Sequence, residues 1–411
     1  MVSTEKRKLV IFDVEGVLIP KNRFIFEVGR TLGFVGLVKM FFFGFLYETG
    51  IFKLESSMRH IFKDLKGVKG ETLSCIFDKI PSMPFLQNIF SQLKTRNYRI
   101  ALISSGLPSF LVKKLADGLG AEYAFGINVG MQDGKLTGKI EGDAIRSEGK
   151  LKILSKILET EGLVFSDCVV VADDRNNRCI FMPEILKIGF NPDFVIRVKA
   201  DRVVNSKLSG ILPIIDGQPH KRSFPSTNAF VREDIHASGF FMPVIAGLIG
   251  IPVVASVIIF IAIVYTISEL WRLDGRELPI VSAITRHAAS QSELYGFAAP
   301  PLYFAFGIVA TLLLFPSIAG GAAIAIFCLG DSAASIFGGM ISTSLPFNKG
   351  KTWEGSLAGF FFAFLAGTFF VSPWLAFVGA AIAMTIEVLP LPVNDNVLIP
   401  LITGAALTLL I

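Results

Sequence analysis

The stretch Val10-Ile-Phe-Asp-Val-Glu-Gly-Val-Leu18 decides the fold of the first half of the chain. Its apolar, β-branched start predicts a buried strand over residues 8–12. Two carboxylates, Asp13 and Glu15, follow this strand two residues apart, so in an extended segment their side chains point the same way. One carboxylate can then attack a phosphoryl group while the other handles the proton of the leaving group.

Short β-branched runs alternate with helical patterns over residues 8–216, which predicts an α/β Rossmann-like domain with a parallel sheet. The predicted strands are residues 8–12, 99–103, 169–172 and 194–198, and the predicted helices include residues 108–119 and 150–161. In such sheets the chemistry lies beyond the carboxyl ends of the strands. Asp13, Ser104 and Asp173 stand at those ends, so we expect them to meet at one edge of the sheet.

Four motifs in this domain resemble those of the haloacid dehalogenase superfamily of phosphatases. The segment around Asp13 resembles the first motif, and Ile103-Ser-Ser-Gly106 resembles the second. Lys150 stands at the position of the family's charge-neutralising lysine, and Val169-Val-Val-Ala-Asp173-Asp174 resembles the fourth motif. The resemblance implies a hydrolase of phosphomonoesters with a Rossmann-like fold and a helical cap.

The same resemblance implies a role for each matched residue. Asp13 and Glu15 are expected to be catalytic, while Ser104 and Lys150 are expected to bind the phosphoryl group. Asp13, Glu15 and Asp173 are expected to hold Mg²⁺, a cation that prefers hard oxygen ligands.

Within the superfamily the chain looks most like the phosphoserine phosphatases, because Tyr123-Ala-Phe-Gly126 and Asp133-Gly-Lys-Leu-Thr-Gly138 are similar to their hairpin region. Two positions depart from that pattern. Asn177 stands where the family usually carries an aspartate, and Asn22 stands where it carries the glutamate that pairs with the amino group of serine. We therefore expect weaker metal support and a substrate other than phosphoserine.

Residues 33–52 form a strongly apolar helical stretch that interrupts this domain. A transmembrane helix here would put Asp13 and Asp173 on opposite faces of a bilayer, so we interpret residues 20–80 as a cap over the site. We assign the phenylalanines of the stretch to the core of the cap. An interfacial surface or an apolar pocket for a lipid phosphate is the alternative.

The composition changes after residue 238. The chain is 52% hydrophobic and 18% charged, but only 5 of its 39 basic and 8 of its 34 acidic residues lie in residues 239–411. The first 238 residues therefore carry a net charge of +8, which we interpret as solvated surface or as attraction to anionic lipid headgroups. No nucleic-acid motif accompanies this charge, so we predict no nucleic-acid partner. Four widely spaced cysteines favour a reducing compartment.

The pattern after residue 238 predicts an all-α polytopic membrane domain over residues 239–411, preceded by a linker over residues 217–238. The predicted crossings are residues 240–268, 298–315, 318–341, 357–371, 373–388 and 397–411. We expect the basic loops and the first domain to lie in the cytoplasm, in accord with the positive-inside rule. Residues 240–268 must then cross an even number of times, or Pro243 and Pro252 break them into a re-entrant hairpin.

Polar segments in this half carry a pattern suited to phosphates. Leu329-Gly-Asp-Ser-Ala-Ala-Ser335 ends an apolar helix with a lone acid, and Asn348-Lys-Gly-Lys-Thr-Trp-Glu-Gly-Ser356 follows it. Lys349 and Lys351, with Thr352 beside them, are predicted to hold phosphates around an accessible backbone. Asp331 and Glu354 are predicted to supply oxygen ligands for Mg²⁺.

These two motifs and the segment Glu387-Val-Leu-Pro-Leu-Pro-Val-Asn-Asp395 resemble the dolichol kinase and phytol kinase family. The resemblance implies CTP as phosphoryl donor and a long isoprenoid alcohol, held in the lipid bilayer, as acceptor. Asp395 would deprotonate the hydroxyl or bind a second metal ion. The alternatives are a CTP:lipid-phosphate cytidylyltransferase and a permease with a cytoplasmic phosphatase domain. In structural terms the lysines are alternatively membrane anchors, and the small residues around Asp331 a packing face.

Overall fold

The computed structural model describes residues 7–48, 52–205, 207–218, 226–289, 291–340, 343–391 and 393–411. Two compact units divide the chain, Met1–Pro219 and His220–Ile411, here called the N-terminal unit and the C-terminal unit. The predicted linker over residues 217–238 is wrong in its second part, because Thr227–Ser238 is a helix of the C-terminal unit. The Ser226 hydroxyl caps this helix by accepting a hydrogen bond from the backbone N–H of Ala229, a signal that the mixed composition of the segment concealed.

The N-terminal unit is built on one sheet. Its strands are β1 (Lys8–Asp13), β2 (Tyr98–Pro108), β3 (Tyr123–Gln132), β4 (Lys135–Glu141), β5 (Cys168–Ala172), β6 (Leu186–Phe190) and β7 (Arg202–Val204). They lie in the order β4-β3-β2-β1-β5-β6-β7, and every pairing is parallel except the antiparallel hairpin of β3 and β4. The predicted Rossmann-like α/β class is confirmed. β1 and β5 lie at the centre and are buried on both faces, as parallel strands covered by helices should be.

Helices surround this sheet and form the insertion between β1 and β2. They are α1 (Arg23–Thr31), α2 (Gly33–Glu48), α3 (Leu54–Asp64), α4 (Gly70–Asp78), α5 (Leu86–Thr95), α6 (Ser109–Leu119), α7 (Gly149–Glu161), α8 (Phe194–Lys199) and α9 (Ile211–Ile215). The first four fall in the range predicted as a cap.

The apolar helix α2 differs from the sequence interpretation. Phe34, Val35 and Phe42 are 81%, 68% and 56% exposed, so assigning the phenylalanines of this stretch to the cap core is wrong for Phe34 and Phe42. The buried residues among the described side chains of this helix are instead Gly36 and Met40. An α2 helix that is apolar around most of its circumference cannot bury every side against α1 and α3, which leaves an apolar face in solvent.

The predicted strand over residues 194–198 is also wrong. These residues form α8, because Asp193 caps a helix there through a 2.9 Å hydrogen bond from the Ile196 backbone N–H to its Oδ1. The capping carboxylate of Asp193 favours a helix here, although the residues Phe-Val-Ile-Arg-Val have a high β-propensity. β6 and β7 complete the sheet in its place.

The C-terminal unit is helical over its described residues. Its helices are α10 (Thr227–Ser238), α11 (Met242–Ile249), α12 (Ile251–Leu273), α13 (Pro279–Ala288), α14 (Gln291–Tyr295), α15 (Pro300–Leu314), α16 (Ser317–Met340), α17 (Trp353–Gly367), α18 (Pro373–Val388) and α19 (Asp395–Leu410). The predicted crossing over residues 240–268 is broken between α11 and α12, just before Pro252, whereas Pro243 lies in the first turn of α11 without breaking it. Eight residues of α11 span about 12 Å, too short to cross a bilayer.

Two helices in the described part of the chain are long and apolar enough to cross a membrane. They are Ile251–Leu273, which is mostly exposed, and Ser317–Gly339, which is mostly buried inside the unit. Pro300–Leu314, Pro373–Val388 and Asp395–Leu410 are apolar but shorter. At 15 or 16 residues each they span about 22–24 Å, less than the hydrocarbon thickness of about 30 Å. A polytopic arrangement therefore stays a prediction.

Helix α16 forms the centre of the C-terminal unit and packs closely on α17. A Cβ atom on Gly355 would lie 2.6 Å from the carbonyl oxygen of Ala334, so the two backbones approach as closely as glycine permits. The small residues around Asp331 thus form the packing face that the sequence offered as their structural alternative.

Candidate active site

Asp13 is the last residue of the central strand β1 and is 7% exposed. Its Oδ1 accepts hydrogen bonds from its neighbour's backbone N–H, that of Val14, at 3.0 Å and from Lys150 Nζ at 3.1 Å. Its Oδ2 accepts a short hydrogen bond from Asn177 Nδ2. Burial raises the pKa of Asp13, while the charge of Lys150 opposes that shift. Both carboxylate oxygens are therefore held in place by donors before any substrate binds.

Lys150 and Asn177 form a buried pair around Asp13. Lys150 is 2% exposed and donates a 2.7 Å hydrogen bond to Asn177 Oδ1, while Asn177 is 1% exposed. An aspartate at position 177 would bring another buried negative charge beside Asp13, whereas the asparagine amide donates to it. From the sequence, Asn177 was predicted only to weaken the support of the metal ion. The structure shows that it orients Asp13.

Glu15 lies against the second motif. Its carboxylate covers Gly106 so closely that a Cβ atom on that glycine would lie 1.9 Å from Glu15 Oε2. Burial raises the pKa of Glu15 to about 7, and the negative charges of Asp13 and Asp174 add to the effect. A carboxyl group with a pKa near neutrality can both donate and accept a proton.

Ser104 is fully buried in β2, one residue beyond the last pair of β2 with β1 and within an irregularity in the pairing of β2 with β3. Its hydroxyl oxygen accepts hydrogen bonds from the backbone N–H groups of Gly106 at 3.1 Å and Leu107 at 2.9 Å. These bonds fix the oxygen and leave the hydroxyl hydrogen able to donate to a phosphoryl oxygen.

Three buried aspartates lie beyond β1 and β5 and could hold a metal ion. Asp13, Asp173 and Asp174 each place a carboxylate oxygen within 4.8 Å of the others. Burial raises the pKa of Asp173 well above its usual range, and its Oδ1 is buried without a hydrogen-bond partner among the described residues. Lys21 Nζ lies 3.4 Å from Asp173 Oδ2 and 3.8 Å from Asp174 Oδ2. This set of hard oxygen donors fits Mg²⁺.

The predicted metal ligands are therefore only partly grouped. Asp13 and Asp173 belong to the cluster, but Glu15 does not belong to it among the described residues, and Asp174 takes its place. Gly16, with φ of +82°, allows the close approach of Asp173, because a Cβ there would lie 2.1 Å from Asp173 Oδ2. The turn after β1 thus separates Glu15 from the cluster and lets Asp173 in.

Arg175 joins the loop after β5 to the cap, a contact that the sequence did not indicate. Its guanidinium lies 4.4 Å from the ring centroid of Tyr47 in α2 and donates a short hydrogen bond to the Tyr47 carbonyl oxygen. The cap therefore rests on the same loop that carries Asp173 and Asp174.

Comparison with known proteins agrees with this geometry. The family of haloacid dehalogenase-like hydrolases matches residues 10–176. A phosphoserine phosphatase of Methanocaldococcus jannaschii is 31% identical over 203 residues, which are 49% of this chain and 94% of that protein. Through its N-terminal unit, this chain belongs to the haloacid dehalogenase-like hydrolase family.

Two further similarities concern the same half of this hydrolase. A phosphoserine phosphatase of Archaeoglobus fulgidus is 28% identical over 213 residues, which are 51% of this chain and 60% of that protein. A solved structure described as a phospho-aspartyl intermediate analogue of phosphoserine phosphatase covers 51% of this chain and 99% of its own, with 30% identity and a TM-score of 0.47. Through the relative that is 31% identical, the N-terminal unit is a phosphoserine phosphatase-like hydrolase domain, and its acid cluster fits Mg²⁺.

The C-terminal unit of the hydrolase brings Lys351, Glu387 and Asp395 together. Lys351 Nζ makes a short ion pair with Glu387 and lies 3.7 Å from Asp395 Oδ2. Burial alone would lower the pKa of Lys351, but the charges of Glu387 and Asp395 outweigh burial and raise it. Asn348, 1% exposed, anchors the lysine loop by donating a 2.9 Å hydrogen bond to the Val388 carbonyl oxygen.

The other residues of this unit that were predicted to bind metal or phosphate lie outside the group of Lys351, Glu387 and Asp395. Asp331 does not end its helix, because α16 continues to Met340, two turns further on. Thr352 caps α17 by accepting a 3.2 Å hydrogen bond from the backbone N–H of Gly355, so its hydroxyl already has a structural role. Glu354 lies in the first turn of α17, and Lys349 is half-buried in the loop before it. Their binding roles stay predictions.

Proposed function

We propose that the N-terminal unit hydrolyses a phosphomonoester through a covalent phosphate on Asp13. The observation that carries this proposal is that Asp13 and Glu15 lie in one site. Lys150 and Asn177 hold the two oxygens of Asp13, and Glu15 has a pKa of about 7. A nucleophile fixed at the end of a strand beside a group able to transfer protons near neutrality is what double displacement at phosphorus requires.

In the first step an Asp13 oxygen forms a bond to phosphorus as the ester P–O bond breaks, and Glu15 gives its proton to the departing alkoxide. In the second step Glu15 takes a proton from water, the water oxygen bonds to phosphorus, and Asp13 and inorganic phosphate are released. The Ser104 hydroxyl donates a hydrogen bond to a phosphoryl oxygen throughout, and the Lys150 ammonium group offsets the negative charge of the phosphoryl oxygens. When bound at the three aspartates, Mg²⁺ supplies additional positive charge against the phosphate.

The cap supports a proposal about the substrate class. The exposed apolar face of α2, which includes Phe34, Val35 and Phe42, favours a phosphomonoester with an apolar tail or a lipid surface as its source. The named relatives are phosphoserine phosphatases, but Asn22 leaves the amino group of phosphoserine without the carboxylate expected there. Activity should be measured on phosphoserine, nucleotides and prenyl phosphates, and the prenyl phosphates are expected to be hydrolysed fastest.

The role of Asn22 can be tested by substitution. Asn22 precedes α1 in a left-handed conformation with φ of 59°, a region that asparagine tolerates better than most residues. Asn22→Glu should raise kcat/KM for phosphoserine several-fold, about the effect of one charge-assisted hydrogen bond. Asn22→Gln brings similar backbone strain without the charge and should not raise it. Equal kinetics of the two variants would show that position 22 does not face the substrate's amino group.

We propose that the C-terminal unit is a CTP-dependent kinase of a long isoprenoid alcohol, in a protein integral to a membrane with both units' active groups on the cytoplasmic side. The observation that favours this function is the meeting of Lys351, Glu387 and Asp395 from a loop and two helix ends. Lys351 would bind the nucleotide phosphates once a metal-bound triphosphate replaces its carboxylate partners, and Asp395 would be released to accept the hydroxyl proton.

Incubation of the full chain with labelled CTP, Mg²⁺ and a prenol tests the second function. Formation of prenyl phosphate and CDP would support it. Release of pyrophosphate with formation of a CDP-lipid would instead establish the cytidylyltransferase, and solute uptake without nucleotide would establish the permease. Accessibility labelling of Lys351 and Asp395 in vesicles tests the common cytoplasmic side, and labels from opposite sides would contradict it.

A further inference from the structure

A second cluster of metal-ligating side chains lies in the C-terminal unit. Glu233 and His236 stand one turn apart on α10, and Asp331 faces them from α16. Each offers one ligand atom, and the three atoms lie within 4.8 Å of one another. Ligands of one divalent cation lie roughly 3–4 Å apart, so a small inward movement of these side chains closes the set around an ion.

The cluster is buried, and its imidazole faces Asp331 through Nδ1. Glu233 is 5% exposed and His236 is 8% exposed. His236 Nδ1 lies 3.4 Å from Asp331 Oδ2 and 3.3 Å from Ser332 Oγ, but Nε2 is buried without a hydrogen-bond partner among the described residues. Nδ1 is therefore the nitrogen that the measured distances offer to an ion held between His236 and Asp331.

The charges at the cluster favour a cation. The imidazole of His236 offers a nitrogen lone pair to a cation. Two carboxylates then face one nearby cation, Arg232, whose side chain is 46% exposed and lies 3.1 Å from Glu233 Oε1. Solvent weakens the contribution of such an exposed partner, so negative charge remains at the buried end.

A surrounding shell fixes the three groups. Ser335 Oγ donates a 2.8 Å hydrogen bond to Glu233 Oε1, and Ser332 Oγ donates to the Glu233 carbonyl oxygen at 3.1 Å. The rings of Phe304 and Phe327 lie 4.4 Å and 4.8 Å from the His236 ring between centroids and hold it in place. Metal sites have such an outer shell, which orients the ligands.

We propose that Glu233, His236 and Asp331 form a binding site for a divalent transition-metal ion of the Mn²⁺ and Zn²⁺ class. One imidazole nitrogen with two carboxylates suits these ions better than Mg²⁺, which takes oxygen ligands. The proposal stands on the geometry of the cluster and does not depend on the kinase activity. It also shifts the expected partner of Asp331 from Glu354 to the residues of α10.

Binding of Mn²⁺ to the full chain in detergent tests the proposal, with the ion alone as probe. The N-terminal cluster has no imidazole, so coupling of bound Mn²⁺ to ¹⁴N of a histidine, seen by pulsed electron paramagnetic resonance, reports the C-terminal site alone. We expect this coupling in the wild type and in Asp173→Asn, a change confined to the N-terminal cluster. We expect His236→Ala to abolish the coupling and to weaken Mn²⁺ binding in the Asp173→Asn background at least tenfold.

His287→Ala is the matched control, because His287 is an exposed histidine of the same unit whose Nδ1 only contacts the Ala283 carbonyl oxygen. It should keep the coupling. If His236→Ala does not fold, Glu233→Gln and Asp331→Asn keep the imidazole and should still weaken binding at least tenfold. Coupling that survives His236→Ala, or a wild type that shows none, would overturn the proposal. So would complete loss of Mn²⁺ binding in Asp173→Asn alone.

Discussion

The N-terminal unit gathers Asp13, Asp173 and Asp174 beyond two parallel strands, whereas the C-terminal unit gathers Glu233, His236 and Asp331 between two helices. The strand cluster consists of three carboxylates with Lys21 and Lys150 at its sides. The helix cluster has an imidazole, that of His236, in place of one carboxylate. Lysines lie beside the buried carboxylates of the N-terminal cluster. The carboxylates of the C-terminal cluster have an imidazole beside them instead, and imidazole nitrogen favours transition-metal ions. The two clusters should therefore select different metals.

The lysines at these sites differ in a related way, and Lys150 is buried whereas Lys351 is half-buried. Lys150 faces one carboxylate, Asp13, and a neutral amide, Asn177. Lys351 faces two carboxylates, Glu387 and Asp395. Lys150 therefore has charge left to share with an incoming phosphoryl group, but Lys351 must first exchange its carboxylates for phosphate. We expect the N-terminal site to be preformed and the C-terminal site to need a metal-bound nucleotide to assemble it.

The largest effect is expected from Asp13→Asn. The change keeps the shape of the side chain but removes the nucleophile, so phosphatase turnover should fall by at least about 10³-fold. Turnover of a prenyl phosphate by the full chain is the measurement, and histidine-coupled Mn²⁺ binding should be unchanged. Asp117→Asn, on the exposed side of α6, is the control and should be silent. A phosphatase that survives Asp13→Asn would contradict the covalent route.

Lys351→Met should separate the two units. Loss of a phosphate-binding cation is expected to lower transfer from CTP by about 10²-fold or more while the phosphatase rate stays the same. Both rates are measured on one preparation. Arg286→Gln removes an exposed cation that pairs with Glu277 and should change neither rate. Parallel loss of both activities in Lys351→Met would show that the two sites are not independent.

A pH profile tests the proton transfer by Glu15. Its pKa of about 7 means that the acid form prevails below pH 7 and is lost above it. Release of a poor alkoxide leaving group in a single turnover should therefore fall about tenfold per pH unit above pH 7. The same step with p-nitrophenyl phosphate, whose leaving group needs no proton, should change little. Identical profiles for the two substrates would remove Glu15 from this role.

The two units also differ in how much the sequence could predict. In the N-terminal unit the groups that meet lie where the pairing of neighbouring strands ends, so the predicted strands placed Asp13, Ser104 and Asp173 at one edge. The sheet supplies the long-range geometry, because parallel neighbours end at the same side. The orienting role of Asn177 was not predictable, since it depends on which side-chain atoms face each other across β1 and β5.

In the C-terminal unit the sequence gives fewer signals about which side chains meet. Asp331 was singled out as a lone acid in an apolar run, but its neighbours Glu233 and His236 lie almost a hundred residues earlier, in a segment whose mixed composition predicted a linker. Helix packing brings them together, and no local period encodes which helix covers which. The starts of α8 and α10 also could not be predicted from composition, because each helix begins at a single capping residue, Asp193 or Ser226.

The smallest expected effect concerns the stability of the strand cluster without metal. Asp173→Asn removes one buried charge from beside two others, so it should raise the free energy of unfolding of the metal-free N-terminal unit by about 1–3 kcal/mol at neutral pH. All three tryptophans lie in the C-terminal unit, so the measurement is hydrogen exchange of the β1 and β5 amides in the full chain.

Mg²⁺ should reverse the order of the two proteins. At a concentration of 1,000 times its Kd, the ion stabilises the wild type by about 4.1 kcal/mol and should stabilise Asp173→Asn far less, because the variant lacks one ligand. Asp117→Asn should follow the wild type with and without metal. If Asp173→Asn is less stable than the wild type without Mg²⁺, the three aspartates do not repel one another in the folded protein. The proposed electrostatic difference between the two clusters would then be wrong.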